Sequence, residues 1–192
     1  MEVIMGLFSS SNAVFDMLKA DHKRVKGLFE QFEKAKDSRS KARIVQETLR
    51  ELDVHAKLEE TLIYPLIRRK IDATDIMDEA LEEHHVAHVL INELKRMNPG
   101  EGRYGAKFTV LGESIKHHIG EEEDQMFPEA EDVDIDWDEL FNEAMKRKQG
   151  LLSQQESGNT QKPRRSIVRK TGKAKSTPRT SRVKRRSQKA SR

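Results

Sequence analysis

The chain has 192 residues, with 36 Lys and Arg against 33 Asp and Glu, and a formal net charge of +3. The charge is unevenly spread: residues 1–161 hold 22 basic and 33 acidic side chains, whereas 162–192 hold 14 basic and no acidic ones. There is no Cys, which excludes disulfides, Fe–S clusters and thiolate zinc sites, and no apolar run approaches the ~18 residues of a membrane helix.

Residues 1–11 read as an N-terminal extension without the basic start and long apolar core of a signal peptide, so a cytoplasmic location is expected. From about Asn12 onward the pattern is helical. Phe15, Leu18, Val25, Phe29 and Phe32 form one apolar stripe at spacings of three and four. After the break at Asp37–Ser40 a second stripe runs through Ile44, Thr48, Leu52, Leu62 and Leu66, with Pro65 predicting a kink or restart. A third holds Met77, Leu81 and Ile91. Beyond Asn98-Pro99-Gly100 a fourth holds Tyr104, Phe108, Leu111, Ile115 and Met126 and stops near Pro128. Long helices joined by short connections predict an all-α fold, an antiparallel up-down four-helix bundle with its core at 12–130. A short extra helix at about 137–148 completes a domain spanning 12–150. Residues 151–192 form a Lys/Arg-rich tail with too few apolar side chains to fold alone, and they are expected to be disordered.

Each stripe is interrupted by polar residues at the same helical spacing: His22, then His55 and Glu59, then His84 and His88, then His118 and Glu122. These groups should point into the core, where an unpaired carboxylate or imidazole is costly. A lone core His is usually a hydrogen-bonded structural residue. Five imidazoles and two carboxylates converging from four helices cannot easily satisfy one another without a cation. The chain also repeats itself, because H-x-x-x-E-E-x-x-x-[Tyr/Phe]-Pro starts at His55 and again at His118. Residues i and i+4 share a helix face about 6 Å apart. Each repeat therefore offers half of a dinuclear site, which Glu59 and Glu122 can bridge. Two octahedral ions need about twelve bonds. The seven side chains and a shared oxo or hydroxo group leave one position open. Manganese and zinc suit these donors as well as iron does.

In order and spacing, Asp21-His22, H55-x-x-x-E59, H84-x-x-x-H88 and H118-x-x-x-E122 resemble the hemerythrin family, and more closely its bacterial HHE cation-binding branch. The resemblance covers about residues 12–130. It implies a four-helix bundle around an oxo- or hydroxo-bridged non-haem di-iron centre, with His22, His55, Glu59, His84, His88, His118 and Glu122 as ligands. Marine-worm hemerythrins place an aspartate five residues after the fourth-helix His, whereas Glu122 lies four after His118. His117 is therefore the alternative ligand, with His118 preferred because the repeat pairs it with His55. The family implies binding or sensing of oxygen, nitric oxide or peroxide, in stress response or in iron and oxygen handling. An enzyme reducing peroxide or nitric oxide is the rival reading. A third is a nucleic-acid-compacting protein whose metal is structural.

Glu60 and Glu123, which also repeat, read either as partners orienting the imidazoles or, more simply, as solvated helix charges. Tyr64 and Phe127 read as core residues. The one mismatch between the halves is Lys26, four after His22, against His88, four after His84; it predicts three imidazoles on one iron and two on the other. The basic segment 162–192 is expected to bind nucleic acid through phosphate neutralisation without base stacking, and so to hold the protein at the nucleoid.

Overall fold

The computed structural model describes residues 12–71 and 74–160. Helix α1 (Ala13–Lys34) starts where the Asn12 side chain accepts the Val14 N–H at 3.0 Å, and α2 (Ser38–Leu58) starts at Asp37, which accepts the Ser40 N–H. These caps satisfy amides that a helix start leaves unpaired. A three-residue connection returns α2 alongside α1. Helices α4 (Thr74–Arg96) and α5 (Tyr104–Glu121) form the second pair. The described residues thus give the expected all-α bundle.

The break expected at Pro65 takes a specific form, and Pro128 repeats it. Residues Glu59–Ile63 and Glu122–Met126 are π-helical turns, followed by the short α3 (Tyr64–Ile67) and α6 (Phe127–Glu131). A proline ring clashes with the carbonyl four residues back, and widening the turn relieves that clash. The Tyr64 N–H now bonds the Glu59 carbonyl, and the Phe127 N–H that of Glu122, each five residues back. The extra residue returns Tyr64 to the buried face that Glu59 occupies, and Phe127 to that of Glu122.

Six polar side chains divide the core. One apolar cluster contains Phe15, Leu18, Leu58, Tyr64, Met77 and Phe127; the other contains Val25, Phe29, Phe32, Leu52, Ile91 and Phe108. Between them lie His22, His55, Glu59, His84, His118 and Glu122, all buried. Gly112 lets α5 approach α1 closely, since a Cβ there would stand 2.8 Å from the Phe29 ring.

The last helix differs from the expectation. Instead of ending near Lys148, α7 runs from Trp137 to Thr160 and packs on α1 and α2. Trp137, Leu140, Phe141, Ala144, Met145, Leu151 and Leu152 repeat at helical spacing against the first cluster, a pattern obscured by Gly150 and the polar residues after it. Residues 1–11 and 161–192, which include the basic segment, lie outside the described residues. Because Leu140 is buried, Leu140→Ala should destabilise the fold by about 2–5 kcal/mol in urea unfolding. A change within experimental error would mean that α7 is not part of the cooperative unit.

Candidate metal centre

The donors fall into two groups, each within 4.8 Å: His22, His55, Glu59 and Glu122 in one, Glu59, His84 and His118 in the other. Glu59 belongs to both, its Oε1 lying 3.1 Å from His55 Nε2 and its Oε2 3.5 Å from His84 Nε2. Glu122 reaches both sides through a single atom: Oε2 is 3.2 Å from His22 Nε2 and 3.4 Å from His118 Nε2. Its Oε1 accepts the Tyr64 hydroxyl at 2.5 Å. Burial, and then Glu122 itself, pushes the Tyr64 phenol well above its ordinary range.

Outward-facing nitrogens fix the state of the inward ones. His22 Nδ1 meets Glu123 at 2.8 Å, His84 Nδ1 meets Glu60 at 3.0 Å, and His118 Nδ1 meets Glu83 at 2.8 Å. An imidazole donating from Nδ1 presents a lone pair at Nε2. Yet Nε2 of His84 faces Nε2 of His118 at 3.0 Å, and Nε2 of His22 faces that of His55 at 3.1 Å. Glu59 adds two buried oxygens without a hydrogen-bond partner, and Glu122 adds Oε2. His84 and His118, both donating from Nδ1, set lone pair against lone pair at 3.0 Å, and such a contact needs a proton or a metal ion between the nitrogens. The residues present fit a pair of divalent cations.

The charges behave accordingly. Burial alone would lower the His55 pKa, but Glu59, Asp21 and Glu122 outweigh it and push it up to about 10. Burial would likewise raise Glu122, yet the His22 imidazole 3.2 Å from its Oε2, with His118 and His55 nearby, holds it far below the usual carboxylate range. A proton or a metal ion can meet the same need, so metal uptake releases protons.

The seventh expected ligand stands apart. His88 lies one turn beyond His84 with its ring half exposed, and its Nε2 meets Glu60 at 2.8 Å, outside both donor groups. Of the neighbouring pair, His118 faces the centre, while His117 is 66% exposed and lies 3.2 Å from Glu121. Glu60 and Glu123 are imidazole partners rather than solvated charges. Asp21 and Glu83 complete this outer set, beside His55 and His118. Their signal in the sequence is an acidic residue directly before both His22 and His84. Beside the imidazoles lies a cavity of about 20 Å³ with Val25, Leu52, Ala87, Ile91 and Ile115 in its wall.

A family model, the Hemerythrin HHE cation binding domain, matches residues 13–130. A crystal structure of a hemerythrin HHE cation binding domain-containing protein from Mycobacterium kansasii is 26% identical, with a TM-score of 0.66, covering 77% of this chain and 92% of that one. A curated protein from Nostoc sp., named DNA nickase, is 23% identical over 112 residues, which are 58% of this chain and 32% of that protein. The chain thus spans about a third of that relative's length.

Proposed function

The chain belongs to the hemerythrin HHE cation-binding family, and on that premise we propose that it holds two iron ions and takes up oxygen or a related small oxidant beside them. The observation that carries this reading is the convergence of unsatisfied Glu59 and Glu122 oxygens with four imidazole nitrogens in the middle of an apolar bundle. His22, His55, Glu59, His84, His118 and Glu122 would hold the ions, and His88 would brace Glu60. When bound, a non-haem di-iron pair would lend electrons to a small oxidant and take them back on its release. The protein's own part is to bind, orient and exclude water. Leu52, Ala87 and Ile91 keep bulk water from the approach, and the ~20 Å³ cavity has room for about one water-sized molecule. Tyr64 holds a proton against Glu122 Oε1 and keeps that carboxylate from rotating.

The 14 positive charges in residues 162–192 support binding to nucleic acid as a second role. The name of the Nostoc protein is consistent with that role but transfers no nicking activity. No described helix is long and apolar enough to cross a membrane. A cytoplasmic protein held at the nucleoid fits both readings.

Anaerobic loading with ferrous iron, followed by oxygen, nitric oxide or peroxide under an absorption spectrometer, tests the reading. Two irons per chain and a reversible oxygen-dependent spectrum are expected. Steady consumption of peroxide or nitric oxide would make the protein a redox enzyme instead, and no response to any of the three would reject the proposal.

A further inference from the structure

Behind the four imidazoles stands a ring of four carboxylates, and behind those a ring of four basic side chains. Glu123 backs His22, Asp21 backs His55, Glu60 backs His84 and Glu83 backs His118. On the first pair of carboxylates the outer groups are lysines: Lys26 Nζ lies 3.5 Å from Glu123, and Lys148 of α7 is bonded to Asp21 Oδ1. On the second pair they are imidazoles: His88 meets Glu60 at 2.8 Å and His117 lies 3.7 Å from Glu83. The halves, which each present two imidazoles at the centre, therefore differ at the rim.

We infer that the two metal pockets are unequal, and that the one between His22 and His55 is the weaker and more readily exchanged, because Lys26 and Lys148 draw off the charge of the carboxylates behind it. This rests on reading the six buried donors as a dinuclear site. A carboxylate that accepts an imidazole N–H makes the other ring nitrogen a better metal donor. An ammonium on that carboxylate competes for the same lone pairs and adds a positive charge near the incoming cation. An ammonium also has three donors with which to take up carboxylate lone pairs, where an imidazole nitrogen has at most one. The competition is visible at His55. Asp21 gives one oxygen to Lys148, and its other oxygen stands 3.6 Å from His55 Nδ1, against 2.8–3.0 Å for the other three pairs. His55 Nδ1 has no hydrogen-bond partner. Lys148 also lies outside residues 13–130, the span that matches the family model, so this setting of the centre is carried by α7.

Zinc, which has a single oxidation state, is the probe. It would be titrated into metal-free full-length protein against a chromophoric chelator, at one pH throughout. Two separate steps are expected, and ¹⁵N-histidine spectra at half saturation should place the first zinc at His84 and His118. Lys148→Gln should tighten the second step by roughly 10-fold or more, a scale set by the effect of outer partners on metal sites, and leave the first unmoved. Lys26→Gln, at a position 41% exposed and easily substituted, should act in the same direction. Indistinguishable steps in the unmodified protein, a first zinc at His22 and His55, or lysine variants that leave the second step unchanged or weaken it would each overturn the inference. A chain that takes one zinc or none would overturn the dinuclear reading along with it.

Discussion

Glu59→Gln should leave a folded chain that retains neither metal ion. The substitution keeps the volume of a side chain that is fully buried but replaces an anion by a neutral amide, a poor ligand. Both oxygens are involved, one toward His55 and one toward His84, so a single change weakens both pockets. The metal-free chain should still fold, with some loss of stability, because the neutral amide no longer attracts the buried His55 imidazole 3.1 Å away. In the unmodified protein each ion that binds only the folded state adds about 2.7 kcal/mol at a hundred times its Kd. For a chain of this size that is roughly 5–10 °C in Tm. Metal analysis of the variant should find less than one ion per chain, and added metal should no longer raise its Tm. One tightly held ion per chain would show that Glu59 serves a single pocket.

Removal of residues 162–192 should abolish retention on DNA and leave the iron spectra unchanged. The segment carries 14 basic and no acidic side chains, and the remaining 161 residues carry a net negative charge. If about six to ten phosphates are engaged, affinity of the intact protein should fall ~10³–10⁵-fold between 50 and 200 mM salt, through lost counterion release. Filter binding or anisotropy over that salt range checks the slope. An interaction that ignores salt, or one that the shortened chain keeps, would place the nucleic-acid contact on the bundle or remove it altogether.

The parts of the centre legible in the sequence are those that one helix places together. His55 with Glu59, and His118 with Glu122, share a face by simple periodicity, and the repeated Pro marks where each helix must change its winding. The outer carboxylates were hidden because every one of them reaches across to a different helix: Glu60 to His84, Glu123 to His22, Asp21 to His55, Glu83 to His118. Spacing within one helix says nothing about such pairs. The same limit governs His88. Its place on the stripe after His84 follows from the sequence, but its partner Glu60 comes from the neighbouring π turn and is set only by the packing of α4 against it. The length of α7 was obscured for a different reason, since a half-buried helix rich in Gln and Lys has a weak apolar pattern until its partner surface is known.

The aromatic side chains that close the two ends of the bundle also decide how anything reaches its middle. Phe29, Phe32 and Phe108 interlock on one side of the polar layer, and Phe15, Phe127 and Trp137 on the other. Traffic along the bundle axis is therefore barred to a hydrated ion at both ends. What remains is the flank, where Asp21, Glu60, Glu83 and Glu123 stand between the buried imidazoles and solvent, each between 13% and 29% exposed. A cation crossing sideways between two helices meets a carboxylate at the threshold and an imidazole directly behind it.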